Sequence, residues 1–306
     1  MAAPPRSGSG VGRAQHSFEQ IPRVARPEIV AARPSRVPAS KETLPTMTAA
    51  SKSQSHSHVS RFVGLALPRE HGSWSLALEP VALGLIAAPS AAGGWLALAV
   101  TAGFLARRPL RLAFRDSDAR RRASAWSVAA VFIALALGGF GAALLKAGSG
   151  WLGWLIPSVI GGVIFMWFDL RNEGRSAVAE VAGAVAFSAL PAAFAILSGW
   201  SPPHASALAI LMIGRAVPTV LGVRAYLRAT KTGVWRAEPA LIAAGLALTG
   251  GIVLMISHLA PTVGPVLLGL LALRTAALLV FPRPILRART LGMVEAATGV
   301  GFVLIA

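Results

Sequence analysis

Residues 120–146 read RRRASAWSVAAVFIALALGGFGAALLK. Three arginines are followed by 23 residues from Ala123 to Leu145 without a charge, and Lys146 closes the run. An uncharged apolar stretch needs about 20 residues to cross the hydrocarbon core of a bilayer as a helix. It has no period-two alternation, which disfavours a strand, so a membrane-spanning helix is expected.

Eight further runs of the same kind follow Trp74 or precede Ala306. The nine predicted spans are 74–90, 91–106, 124–145, 151–168, 178–199, 204–223, 238–258, 262–281 and 290–306. The second and the last are short, so tilt or bilayer thinning must help them. The expected fold is all-α, a polytopic bundle of about nine transmembrane helices over residues 67–306.

Composition agrees. Of 306 residues 55% are hydrophobic and 13% charged, against about a quarter charged in soluble domains. The net charge of +17 points to nucleic acid or a membrane surface. A nucleic-acid binder needs a polar exterior and aromatics among its cations, so anionic lipid headgroups are the expected partner and nucleic acid is not. With no cysteine, disulfides and thiolate metal sites are excluded. The histidines are scattered, so neither a metal nor a cofactor is expected.

Lysine and arginine set the orientation. Links 107–123, 169–177, 224–237 and 282–289 carry 16 basic residues, and the alternate links carry only Lys146. This predicts the N-terminus inside, the C-terminus outside, and a multi-pass protein of the inner (plasma) membrane. Removing any one helix would put basic links on both sides.

Residues 1–66 are rich in Pro, Arg, Ser and Ala, with no periodicity. Such a segment buries too little apolar surface to offset its ordering entropy, so a disordered basic tail is expected. A transit-like segment is a second reading, and a true start at Met47 a third.

Charged residues inside spans are costly and mark pathways, sites or ion pairs. Glu79, Glu180, Arg215, Arg274 and Glu295 fall at similar depths, roughly 5–12 Å from the inner ends at 1.5 Å per residue. With Arg69, Glu70 and His71 at the entry to the first span, Glu79, Arg215, Arg274 and Glu295 form the candidate charged pocket. Arg215 and Arg274 are expected to pair with Glu79, Glu295 or a bound anion. Glu180 is shallow, and a snorkelling or register role is expected for it. Asp169 and Glu173, four apart, read either as a divalent-cation pair on a helix face or as a solvated charge set. Prolines 157, 191, 218 and 265 are expected to interrupt spans and border cavities.

The opening Pro68-Arg69-Glu70-His71-Gly72-Ser73-Trp74, with Glu79-Pro80 and Gly84, resembles the YwiC-like family of bacterial membrane proteins. Arg107-Arg108-Pro109-Leu110, Val223-Arg224, and Arg289 with Gly292 and Glu295 extend the likeness from Leu67 to the end. Ser73 stands where the family usually has Ala. The resemblance implies a membrane class and no particular activity.

A weaker likeness is architectural. Nine helices with the N-terminus inside resembles the UbiA-type prenyltransferases, which hold Mg²⁺ and a prenyl diphosphate on Asp-rich motifs at the inner ends of the second and sixth helices. Here those places read Arg107–Asp116 and Val220–Tyr226. The first ends in Asp116, with Asp118 beyond it among arginines, and the second has no acid. Three readings of the pocket stand side by side: binding of an anionic lipid or isoprenoid phosphate, including a UbiA-like transferase without its Asp-rich motifs; a small-solute or proton-coupled transport path; and ion pairs that only hold helices in register.

Overall fold

In the computed structural model, residues 71–280 and 287–306 are described, and all lie in the unit 50–306. The predicted tail, and with it Arg69 and Glu70, lies outside the described residues, as do the side chain of His71 and most of the link 282–289. Among the described residues the secondary structure is helical, with no strand.

The helices are α1 (His71–Ala87), α2 (Ala91–Arg115), α3 (Ala119–Ala147), α4 (Ile156–Leu170), α5 (Ala177–Ser188), α6 (Leu190–Leu197), α7 (Pro202–Thr232), α8 (Glu238–Ile256), α9 (Val263–Val280) and α10 (Ala288–Ile305). A single 3₁₀ turn, Leu152–Leu155, leads into α4. Counting α5 and α6 as one broken rod, nine rods stand among the described residues where nine spans were predicted.

Seven of these segments are long and apolar enough to cross a membrane. The first two rods fall outside that set. The apolar part of α1 is short, and the last nine residues of α2 hold Arg107, Arg108, Arg111 and Arg115. Large apolar side chains point outward along the bundle: Leu137, Leu246, Leu273 and Leu304 are each more than 60% exposed. Facing water they would be costly; facing lipid tails they are at home. This is a multi-pass membrane protein.

The interior is built from small residues, which let helix backbones approach closely. α7 is central and packs on α5, α6, α8 and α9, while α1 packs on α10, α6, α2 and α5. Gly139 of α3 lies on the α2 backbone, where an added Cβ would sit 2.8 Å from the Trp95 carbonyl oxygen. Gly84 of α1 meets the Phe194 ring of α6 in the same way, at 2.6 Å.

The links gather at two ends. At one, Arg107 and Arg111 reach Asp169, and Arg224 reaches Glu180 and the Arg175 carbonyl. At the other, the Ser198 hydroxyl donates to the Ala88 carbonyl oxygen at 2.6 Å. The basic links 107–123, 169–177 and 224–237 thus share one end of the bundle.

Three expectations need correction. Helices α2 and α7 run on through stretches predicted as links, because Ala, Leu, Arg and Lys are good helix formers and hydropathy marks the bilayer edge, not the helix end. The prolines act unequally. Pro157 opens α4, Pro265 lies in the first turn of α9, and Pro218 sits inside continuous α7. Only Pro191, at the start of α6, accompanies a break within a span. Finally, Asp169 and Glu173 do not share a helix face: α4 ends at Leu170, and Asn172 turns the chain with φ 63°.

Candidate functional site

Along α7, residues 215, 216, 219, 220, 223, 224, 227, 228 and 231 form one face at helical spacing, and all of them line a cavity of about 920 Å³. The cavity follows α7 for roughly 24 Å at 1.5 Å per residue. Its other walls come from α1, α2, α4, α5, α6 and α10. The middle is apolar, with Phe104, Phe165, Phe187, Val220 and Val223. The two ends are polar and differ in kind.

The deep end is a buried chain of ion pairs. Arg215, 3% exposed, lies 3.2 Å from the Glu79 carboxylate, and Glu79 is 7% exposed. The Arg215 Nη2 also donates to the Glu295 carbonyl oxygen at 3.1 Å. Its Nη1 donates to Thr219 Oγ1 at 2.8 Å, and that hydroxyl donates to the Arg215 carbonyl oxygen one turn back. Ser75, one turn before Glu79 on α1, donates to the Glu79 carboxylate. Glu295 in turn accepts a two-pronged contact from Arg274, at 2.7 and 2.8 Å. Four helices, α1, α7, α9 and α10, are tied by this chain. Gly299 of α10 makes room for it: an added Cβ there would overlap Glu79 Oε1.

The basic end is more open. Arg107 and Arg111 of α2 bind Asp169 at 3.2 and 3.3 Å, and the Arg107 guanidinium lies 4.4 Å from the centre of the Phe165 ring. Arg115 donates to the Asn172 side chain and the Leu170 carbonyl. Arg224 binds Glu180 at 2.8 Å. Beyond it Arg228 and Lys231 are exposed, one and two turns further along the same face. The lining holds six cationic side chains (Arg107, Arg175, Arg215, Arg224, Arg228, Lys231) and three carboxylates (Glu79, Glu180, Glu295), a surplus of three positive charges.

Of the candidate pocket residues, Glu79, Arg215 and Glu295 converge on the cavity. Arg274 stands behind its wall, holding Glu295. Glu180 pairs with Arg224 at the basic end, tying α5 to α7, a register contact of the kind expected of it. Asp169 takes neither predicted role: it is buried, and two arginines of α2 neutralise it. Sequence reasoning missed the floor hydroxyls Ser75 and Thr219, and it passed over Arg224, Arg228 and Lys231 as link charges. The spacing 224, 228, 231 on one helix face is the signal that would have found the last three. Among the described residues no group of three or more His, Asp or Glu is placed to hold a metal ion.

The site and bundle define a polytopic membrane protein with an internal cavity, ion-paired at its floor and cationic at its mouth. Residues 67–195 match the model of a family described as YwiC-like protein, so this stretch carries the likeness. The matched part spans α1 to α6, including Glu79 and Arg107; the resemblances at Val223-Arg224 and at Arg289, Gly292 and Glu295 lie beyond it. No curated protein and no solved structure matches the chain, and the UbiA-type likeness rests on helix number alone.

Proposed function

We propose that the protein binds an amphiphilic anion, a lipid or isoprenoid phosphate, with its anionic group at the basic mouth and its chain along the apolar middle. The mouth faces the cytoplasm and the bundle lies in the inner membrane, with the N-terminus inside, as the basic links favour. The observation that carries this reading is the pairing of an apolar-walled cavity with a cationic surplus. Arg228 and Lys231 lie on its lining face, and among the described residues no carboxylate is within bridging distance of either. Arginine forks and lysine ammonium groups are the side chains suited to phosphate oxygens.

The test uses purified full-length protein in phosphatidylcholine nanodiscs, titrated with a long-chain alkyl phosphate, the matching alkyl phosphocholine and inorganic phosphate. The proposal expects saturable binding of the alkyl phosphate, weakened about ten-fold or more by Arg228→Gln with Lys231→Gln. Binding of inorganic phosphate with equal affinity would make the ligand a free anion, not a lipid. Equal binding of phosphate and phosphocholine chains, unchanged in the variant, would overturn the proposal.

A further inference from the structure

The cavity has two polar ends and an apolar middle, so a hydrocarbon chain anchored at the mouth needs somewhere to go. The floor does not offer a place. It is lined by the ion-paired Glu79, Arg215 and Glu295. A hydrocarbon chain laid against charged groups gives them no hydrogen bond and keeps solvent from them.

A side exit lies between α2 and α4. Both helices line the cavity, α2 with Gly103 and Phe104 and α4 with Gly162, Phe165 and Met166. Yet α2 packs on α1, α3 and α6, and α4 on α5, and among the described residues the two do not lie along each other. They are tied by side chains at the basic end, where Arg107 and Arg111 reach Asp169 and Arg115 reaches Asn172. At the opposite end, Leu96 of α2 is buried in one apolar cluster with Trp151, just before the turn that leads into α4.

Between these two closures stand Gly103 and Gly162. They lie four residues from Arg107 and seven from Asp169, about 6–10 Å along the helices from the basic tie. An added Cβ on either would meet nothing within 4 Å. Gly161 differs from its neighbour: a Cβ there would lie 2.7 Å from the Ala182 carbonyl oxygen, so the packing of α4 on α5 requires that glycine. No neighbour requires one at 103 or 162, and a glycine inside a helix costs stability relative to alanine. What the missing side chains leave is width. Gly103, Val163 and Met166 are exposed, so the cavity wall passes directly into the lipid-facing surface. The seam between α7 and α10, by contrast, is sealed by Leu291, buried with Tyr226 and Leu279, and by the bond from Arg215 to the Glu295 carbonyl oxygen.

We infer that the cavity opens sideways into the bilayer between α2 and α4, at Gly103 and Gly162, and that the ligand's chain leaves through this window into the surrounding lipid. The ligand is then an anionic lipid whose chain is longer than the cavity, gripped by its headgroup and the first part of its chain. The inference rests on the anion-binding reading above and specifies the class of molecule bound.

The test measures two probes on the full chain in phosphatidylcholine nanodiscs: decyl phosphate, whose chain can end inside the cavity, and a polyprenyl phosphate of eleven isoprene units, whose chain cannot. Wild type is expected to bind the long probe at least as tightly as the short one. Gly103→Leu with Gly162→Leu narrows the window, and should turn this into a preference of about ten-fold or more for the short probe. Gly94→Leu adds the same bulk on α2 in open space away from the cavity, and should keep the wild-type ratio. Should the double variant fail to fold, each single substitution is measured, and either is expected to shift the ratio towards the short probe. A wild-type protein that binds decyl phosphate ten-fold tighter than the polyprenyl probe would show that the chain ends inside, overturning the inference and leaving the anion-binding proposal standing. The same holds if both probes bind and the leucines leave their ratio unchanged. Binding of neither probe would bring down both.

Discussion

The cavity's floor and mouth use the same side chains to different ends. At the floor, Arg215 and Glu79 are both over nine-tenths buried and fixed by Thr219 and Ser75. At the mouth, Arg224 and Glu180 are each about one-third exposed, and Arg228 and Lys231 reach the surface. Breaking a buried pair strands a desolvated charge, whereas an exposed pair exchanges its partner for water or headgroups at little cost. Depth therefore separates structural arginines from those free to meet a ligand, although both kinds lie on one face of α7.

The contrast breaks most sharply at Arg215. Arg215→Leu should cost about 3–5 kcal/mol of unfolding free energy in mixed micelles, because Glu79 is left buried and uncompensated. Glu79→Leu in the same chain should recover a large part. A single variant as stable as wild type would show that water reaches the floor. Arg274→Leu should cost less, about 1–3 kcal/mol, since its side chain is 28% exposed while Glu295 is 12% exposed. Glu295→Leu should partly rescue it, and failure of rescue would mean that the two do not act as a pair.

Gly299→Ala sharpens the same point sterically. The added methyl must displace the Glu79 carboxylate that pairs with Arg215, and a loss of about 1–3 kcal/mol is expected. Combining it with Glu79→Ala should remove the penalty. At the mouth, Glu180→Gln should change stability by under about 1 kcal/mol, and a loss matching that of Arg215→Leu would erase the distinction. Orientation needs no stability measurement. Single cysteines placed at 118 and 201 in this cysteine-free chain should label with an impermeant reagent in intact cells only at 201; labelling at 118 alone would invert the bundle.

Much of the fold was legible because the bilayer turns it into a one-dimensional problem. Spans must be long, apolar and helical, and their basic links must alternate. The span boundaries were less legible, since α2 and α7 continue as helices past the apolar region through Arg115 and Thr232. The ion pairs of the floor followed from depth: Arg215 and Arg274 needed acids at their level, and Glu79 and Glu295 were the acids there. Which of them would face the cavity did not follow. α9 is apolar on all sides, so nothing in its pattern shows that Arg274 turns away. Asp169 was misread because its partners are 62 and 58 residues away on α2, and local spacing carries no trace of them. The proposed role of Arg228 and Lys231 was hidden for a related reason, because a positive charge near a membrane surface is already explained by the headgroups.

The most direct test of the central claim is the amount of anionic lipid that co-purifies with the Arg228→Gln, Lys231→Gln double variant, measured by mass spectrometry beside wild type. If the mouth binds the anionic group while the floor holds the fold, the variant should lose most of the anionic lipid retained by wild type and keep its thermal stability after delipidation. Undiminished retention in a stable variant would contradict the account.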